Sequence, residues 1–156
     1  MKIINLLLMI ISTMLLLACD PMDDRVVIIN NSDKNIHIRM LIINNSKVDE
    51  TMIGIRDISM NKEERLGKLY SWESEFVNIN NDSVMIIVYK DYPILYNKNE
   101  RSTKIKSDSL LRVGDFEYKM MSYEDLENAE WRIEYPNPSF RSGIKLHFFE
   151  KYDFGY

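Results

Sequence analysis

The chain has 156 residues, of which 46% are apolar and 28% are charged, and its formal net charge is −4. This apolar fraction excludes an intrinsically disordered chain, and the length suits one folded domain with at most a tail. The single Cys excludes an internal disulfide and a Cys-rich metal site, and the acidic balance argues against a nucleic-acid partner.

The amino-terminal residues have the features of a secretory signal peptide. Lys2 supplies a positive charge, and an apolar run from Ile3 to Leu17 follows it. This run is shorter than the roughly 20 residues that a helix needs to cross the hydrocarbon core of a membrane. It ends at the small residue Ala18, as signal peptides do before their cleavage site. We therefore predict that residues 1–18 form a signal-peptide helix.

The run ends in Leu16-Leu17-Ala18-Cys19, which resembles the lipobox of bacterial lipoproteins. The resemblance implies that the Cys19 thiol receives a diacylglyceryl group and that cleavage falls between Ala18 and Cys19. It also implies that the new amino terminus is acylated. Stable membrane anchoring takes at least two acyl chains, which this modification supplies. An ordinary signal peptide followed by a free Cys is the alternative.

An acidic linker over residues 19–24 is predicted to follow the cleavage site. It contains Asp20-Pro21-Met22-Asp23-Asp24. An Asp next to the lipidated Cys resembles the inner-membrane retention signal of enterobacterial lipoproteins, whereas an acidic cluster there resembles the surface-export signal of Bacteroides-type lipoproteins. The Asn-rich, Gly-poor chain favours the second group, so we expect the outer membrane, on its surface or periplasmic face. A plain solvated linker is the alternative.

Short apolar runs separated by Asn-rich turns predict a single strand-rich domain over residues 25–156. The Asn-rich segment 30–35 is predicted to connect the first two strands as a hairpin. The clearest run is Val84-Met85-Ile86-Ile87-Val88, which is typical of a central strand buried on both faces. In Lys104-Ile105-Lys106 the charges indicate an edge strand. The candidate strands, with the weaker ones last, are 25–30, 36–43, 83–89, 111–121, 131–135, 143–150, 54–59, 65–70 and 103–106.

One short helix is signalled between two of these strands. Ser122 can cap it, Asp125 stands three residues later as in a capping box, and the helix would run from Tyr123 to about Asn128. About seven to nine short strands with this helix predict an all-β fold. We expect an antiparallel β-sandwich of the immunoglobulin-like or transthyretin-like type, with a core that includes both Trp residues.

The segment from Met85 to Pro136 carries a further resemblance. Its end, from Ser122 to Pro136, reads Ser-Tyr-Glu-Asp-Leu-Glu-Asn-Ala-Glu-Trp-Arg-Ile-Glu-Tyr-Pro and is similar to small lipoproteins of Bacteroides-type bacteria. The similarity extends over about half of the chain. It implies a compartment and a broad class, and it carries no catalytic or binding residues that can be transferred.

Catalytic and metal-binding signatures are absent from the sequence. The two histidines, His37 and His147, have no partner at metal-ligand spacing, and His37 alternates with apolar residues as on the polar face of a strand. There is no nucleophile elbow, phosphate loop or zinc-protease motif. The many scattered carboxylates are typical of a solvated surface. We therefore predict no catalytic residues, no metal and no cofactor.

Two short motifs are candidate sites of covalent modification. Asp82-Ser83-Val84 and Asp108-Ser109-Leu110 resemble the O-glycosylation motif of Bacteroides-type exported proteins, an Asp followed by Ser or Thr and an apolar residue. Ser109 stands in a polar stretch and is the favoured acceptor. Ser83 opens a predicted strand, where burial would hinder modification.

The aromatic residues allow two interpretations. Trp72 and Trp131 could stack on sugars as a binding platform, but aromatic residues on alternating strands are more often part of the core. Tyr92 and Tyr96 flank Pro93-Ile94-Leu95 in a predicted loop, so they are the better candidates for an exposed contact surface.

These observations favour a lipid-anchored, non-enzymatic binding or interaction module at the outer membrane. Its expected partners are the membrane, through the lipid anchor, and an envelope protein or glycan. A small surface hydrolase or glycan-processing enzyme is one alternative, and a structural subunit of an envelope complex is another. Converging carboxylates in a concave site would favour the enzyme. A planar row of aromatic side chains would favour glycan binding, and an exposed apolar patch would favour binding of a protein partner.

Overall fold

The computed structural model describes residues 22–68, 71–77, 83–90 and 100–148. Within these ranges the chain forms nine β-strands and three α-helices. The strands are β1 (Asp23–Asn30), β2 (Ile36–Asn44), β3 (Lys47–Ile58), β4 (Lys62–Lys68), β5 (Ser83–Lys90), β6 (Glu117–Ser122), β7 (Arg132–Tyr135), β8 (Arg141–Ser142) and β9 (His147–Phe148). The helices are α1 (Trp72–Val77), α2 (Glu100–Val113) and α3 (Tyr123–Asn128).

The strands form two sheets, which confirms the predicted all-β, sandwich-like fold. One sheet has three strands in the order β4-β1-β7, and the other has six in the order β8-β6-β5-β2-β3-β9. Neighbouring strands run antiparallel except in two parallel pairs, β1 with β7 and β3 with β9. The weak candidate over residues 54–59 belongs to the long strand β3, and the candidate over 143–150 shortens to β9 in the part that is described.

The main hydrophobic core lies between the two sheets. Ile28 of β1 and Ile133 of β7 meet Ile38 of β2 and Ile86 of β5 in one cluster of buried side chains. Successive side chains on a strand point to opposite faces, so the even-numbered residues of β2 and β5 supply this core. Trp72 and Phe76 of α1 belong to the same cluster.

The predicted burial of β5 on both faces is confirmed. Every residue from Val84 to Tyr89 is at most 2% exposed. Met85, Ile87 and Tyr89 point away from the main core and form a second cluster with Leu111 of α2. A helix, and not a further sheet, therefore covers the second face of the six-stranded sheet.

The edge strand predicted over residues 103–106 is wrong, because these residues lie within α2. Lys104-Ile105-Lys106 satisfies a strand alternation, but the longer segment places two fully buried residues, Ser107 and Leu111, one helical turn apart. The helix stops at Gly114, whose φ of 80° is the left-handed conformation of a helix C-terminus. Residues 111–113, predicted as the beginning of a strand, are therefore its last turn.

The sequence predicted one short helix, and the described residues contain three. The predicted one, α3, is confirmed together with its capping box, in which Ser122 and Asp125 exchange side-chain and backbone hydrogen bonds. Helix α1 was missed. Its six residues place Trp72 and Phe76 one turn apart in the main core, and a segment this short shows too little periodicity to be recognised.

The turn between β1 and β2 was predicted as a hairpin, but these strands lie in different sheets. The buried Asn30 side chain donates to the carbonyl oxygens of Lys34 (2.7 Å), Ile58 (3.1 Å) and Ser59 (3.1 Å). These bonds tie together two places where the chain crosses between the sheets. In the true hairpin between β2 and β3, Asn45 has a φ of 48°, as expected for Asn in turns.

Candidate functional site

An open groove of about 470 Å³ lies between α1 and α3. Apolar atoms dominate its lining, and Val77 on its rim is 84% exposed. Ligand-binding pockets typically measure roughly 300–1,000 Å³, and exposed apolar concavities commonly mark interaction sites. This surface, named the α1–α3 groove, is lined by Glu73, Phe76, Val77, Ser122, Tyr123 and Glu124.

Helix α1 is positioned by the first strand. The backbone N–H of Trp72 donates to Asp23 Oδ2 of β1 at 3.0 Å, which satisfies one of the free N–H groups at the helix start. Trp72 and Phe76 then point into the core, and Val77, the next residue along the helix, points outward. The other wall is held by the capping box of α3, which follows β6 directly.

A chain of aromatic rings links the two helices. The rings of Phe76 and Tyr123 lie 5.6 Å apart at 74°, and those of Tyr123 and Trp131 lie 5.4 Å apart at 77°. Such edge-to-face contacts stabilise the walls of the groove. Because the rings stand perpendicular to each other and Trp72 is fully buried, they do not form the planar row that a sugar platform requires.

Arg25 joins β1, α1 and the aromatic chain. Its Nη2 lies 2.8 Å from Asp23 Oδ2 and 2.7 Å from Glu73 Oε1, and its guanidinium carbon lies 4.2 Å from the centroid of the Trp131 ring. The Tyr123 hydroxyl donates to the same Glu73 Oε1 at 3.0 Å. These bonds lower the pKa of Glu73, with the hydrogen bond from Arg25 as the main cause. Glu73 therefore stays ionised.

Trp131 owes its position to unusual backbone angles. Glu130 and Trp131 have φ values of 52° and 62°, in the left-handed region that bulky residues rarely adopt. The Trp131 N–H donates to Leu126 O, and its carbonyl accepts from Val27 N–H, both at 2.8 Å. The sequence predicted Trp131 as a core residue at the start of a strand over residues 131–135. Instead the strand begins one residue later, and Trp131 is half-buried beside Arg25.

The two helices that form the α1–α3 groove carry only acidic charges. Their sequences, WESEFV and YEDLEN, contain no Lys, Arg or His. Arg25 neutralises part of this charge through Glu73, and Lys119 of β6 interacts with Asp125. The carboxylates are Glu73 and Glu75 on α1 and Glu124, Asp125 and Glu127 on α3. Of these, Glu73 and Glu124 line the groove beside its apolar side chains, which gives it an apolar floor with acidic walls.

A second polar cluster lies beneath α2, on the other face of the six-stranded sheet. Arg39 of β2 is 3% exposed and donates to Asp108 Oδ1 (2.6 Å), Ser107 Oγ (3.1 Å) and Thr51 Oγ1 (2.9 Å). The Tyr89 hydroxyl lies 2.8 Å from Ser107 Oγ, and burial raises its pKa to about 12. Arg39, Ser107 and Tyr89 are buried in this cluster, and the hydrogen bonds from Arg39 to Ser107 and Asp108 fasten α2 to the sheet.

His37 was predicted on a polar strand face but is only 6% exposed. It points to the same side of β2 as Arg39, and its Nδ1 is hydrogen-bonded to Asp57 Oδ1 on the adjacent strand β3. The alternation of polar and apolar residues along β2 is present as predicted, but its polar face is buried at His37 and Arg39 and not solvated.

The predicted site residues fall in different places. Ser109 is exposed on α2, next to the Asp108 that binds Arg39, and Ser83 is half-buried at the start of β5. Both remain predicted glycosylation sites. The predicted cleavage and lipidation residues, Ala18 and Cys19, and the predicted contact residues, Tyr92 and Tyr96, lie outside the described residues. The α1–α3 groove was not predicted.

Replacing Asp23 by Asn should lower the free energy of unfolding at neutral pH. It should also make this free energy less dependent on pH in the acid range. The hydrogen bond from Arg25 lowers the pKa of the Asp23 carboxyl from 3.8 to about 2. A carboxyl whose pKa falls on folding stabilises the protein above its unfolded pKa, and this contribution is lost as the pH drops from about 4 to about 2. Since Arg25 is partly exposed, we expect a loss of about 1–2 kcal/mol in the free energy of unfolding by urea.

The matched control is Asp24→Asn. The Asp24 side chain is 56% exposed and lies 3.9 Å from Arg65, so we expect a change within about 0.5 kcal/mol. If the Asp23 and Asp24 variants match each other in stability at neutral and acid pH, the Asp23–Arg25 pair does not stabilise the fold.

No family model, curated protein or solved structure matches this chain. None of the helices in the described ranges has the length and apolarity needed to cross a membrane. Across residues 22–68, 71–77, 83–90 and 100–148, no group of three or more His, Cys, Asp and Glu side chains is placed to hold a metal ion.

Proposed function

We propose that this protein is a lipid-anchored, non-enzymatic interaction module of the outer membrane, and that it binds an envelope protein through the α1–α3 groove. The observation that carries the proposal is the exposed apolar lining of the groove, with Val77 84% exposed beside Phe76 and Tyr123. Burying such a surface against a partner is favourable by about 25 cal/mol per Å² of apolar area.

The proposed lipid anchor would keep the groove close to the bilayer. Only four peptide steps separate Cys19 from Asp23, and a fully extended chain covers at most about 14 Å over that distance. Asp23 in turn binds the first turn of α1, one wall of the groove. A partner in the groove would therefore lie near the membrane surface.

The chemistry of the groove supports binding over catalysis. A hydrolase of the glycosidase type needs a carboxylic acid that holds a proton near neutral pH. Glu73 is instead held ionised by Arg25, and Asp125 is engaged in the helix cap with Ser122, which lowers its pKa. The perpendicular aromatic rings likewise favour a protein side chain over a sugar ring as the occupant.

Site-specific photo-cross-linking in the native host tests the proposed function. A photoreactive residue at Val77 should yield a discrete protein adduct, because this side chain stands on the rim of the groove. The matched control position is Met60, which is 54% exposed in the turn between β3 and β4 and should yield no such adduct. Identical adducts at both positions, or none at Val77, would refute the groove as the binding surface, and an adduct to a glycan would support the glycan alternative.

A further inference from the structure

We infer that the partner presents a cationic amphipathic segment to the α1–α3 groove, with apolar side chains on the groove floor and Lys or Arg side chains against its acidic walls. This inference rests on the proposed function and specifies the chemistry of its partner. It follows from three features of the groove: its apolar floor, the sign of its charge, and the cation contact already present beside it.

The floor of the groove accepts apolar side chains. Phe76 and Tyr123 are fixed by their edge-to-face contact, so the surface is preformed and costs little reorganisation on binding. Val77 stands beside them, almost fully exposed. A groove between two short helices suits a segment whose apolar residues recur on one face, as in an amphipathic helix or extended strand.

The walls determine the sign of the partner's charge. The helices α1 and α3 together carry five carboxylates and no basic residue, and Glu73 and Glu124 are the two of them that line the groove. Among the five, Glu73 is paired with Arg25 and Asp125 interacts with Ser122 and Lys119. Glu124 lines the groove, is exposed, and makes no ion pair with a described residue. The potential over the groove is therefore negative, and complementarity selects a cationic partner.

The aromatic chain next to the groove already binds a cation. The Arg25 guanidinium lies over the Trp131 ring at 4.2 Å and bonds to the Glu73 carboxylate. Tyr123 and the exposed Glu124 both line the groove, so a ring and a carboxylate are available there to a partner. An Arg or Lys of the partner can pair with the Glu124 carboxylate and contact the Tyr123 ring.

The same charges disfavour a lipid surface as the occupant. Anionic headgroups attract basic residues, and the two groove helices contain none. A membrane-facing surface would combine exposed apolar residues with Lys or Arg, whereas here Val77 is flanked by carboxylates. The acidic apolar groove thus fits a cationic protein segment better than an anionic bilayer.

Labelled amphipathic peptides test the inference. The full-length protein, carrying the photoreactive residue at Val77, is placed in uncharged phosphatidylcholine nanodiscs. It is irradiated with a helical Leu/Lys peptide, or with a Leu/Glu peptide of identical pattern. We expect the Leu/Lys peptide to give at least about tenfold more adduct at Val77 than the Leu/Glu peptide. The photoreactive residue at Met60 reports peptide that adheres to the disc or elsewhere on the protein.

Two charge reversals localise the effect. Glu124→Lys places a like charge in the groove and should reduce the Leu/Lys adduct by about fivefold or more. Glu134→Lys makes the same change in net charge at an exposed residue on β7, opposite Ile29 and far along the sheet from Asp23, and should leave the adduct within about twofold.

The outcomes separate this inference from the proposed function. The inference of a cationic partner is overturned by any of three results: equal adducts with both peptides, no peptide adduct, or equal losses of adduct in the two charge-reversal variants. If the Val77 position still captures a discrete envelope protein in the host, the proposed function survives that result. If it captures none, both fail, and a lipid adduct at Val77 assigns the surface to the membrane.

Discussion

Replacing Arg39 by Ala should lower the free energy of unfolding by about 3–5 kcal/mol, because it leaves a mostly buried carboxylate without its partner. Asp108 is only 14% exposed and receives a 2.6 Å hydrogen bond from Arg39. Ser107 and Thr51 lose bonds to the guanidinium at the same time. Urea unfolding followed by circular dichroism gives the free-energy difference directly.

A double variant distinguishes the unpaired charge from a loss of packing. Arg39→Met combined with Asp108→Leu removes both charges and keeps apolar volume under α2, so it should recover most of the loss. The single Asp108→Leu variant should be destabilising because it leaves Arg39 uncompensated. If Arg39→Ala costs less than about 1 kcal/mol, the polar cluster does not fasten α2 to the sheet.

Replacing Cys19 by Ser should abolish lipid attachment and release the protein from the membrane. The proposed anchor depends on a thiol at the end of Leu16-Leu17-Ala18-Cys19, and a hydroxyl cannot take its place. Two or three acyl chains bind a bilayer stably, with about 0.8 kcal/mol for each buried methylene. Incorporation of labelled palmitate and sedimentation with membranes measure the two effects.

Two further observations control this experiment. Ala18→Arg should leave an unprocessed precursor that is lipidated but not cleaved, because the signal peptidase requires a small residue there. Globomycin, which inhibits that peptidase, should produce the same precursor from the unaltered chain. Absence of labelled lipid from the unaltered chain would contradict the lipoprotein proposal, whichever way the Cys19 variant behaves.

The sequence pattern predicted a structural feature correctly where all the residues that determine the feature lie in one short segment. The apolar run of β5 predicted a strand buried on both faces, and all residues from Val84 to Tyr89 are buried. The spacing of Ser122 and Asp125 predicted the cap of α3, and both of its hydrogen bonds are present. Each of these features depends on residues within one strand or one helical turn, so no knowledge of distant partners was needed.

The errors arose where distant contacts outweighed a short pattern. The alternation in Lys104-Ile105-Lys106 covers too few residues to distinguish a strand from a helix. In the folded protein this segment is helical, and Ser107 and Leu111, one helical turn apart, both contact the six-stranded sheet. The hairpin expected between β1 and β2 failed for the same reason, since turn residues show that the chain reverses but not which sheet it enters.

The strand-rich class, the doubly buried central strand and the capped helix follow from the amino-acid pattern alone, which is also the sole basis for the proposed anchor at Cys19. The α1–α3 groove and the polar cluster under α2 arise from the way several elements pack together. Glu73 and Tyr123 are 50 positions apart, and Arg39 and Asp108 are 69 apart. Periodicity reports which face of an element is buried, whereas a site made from several elements depends on which faces meet, and that is determined by packing.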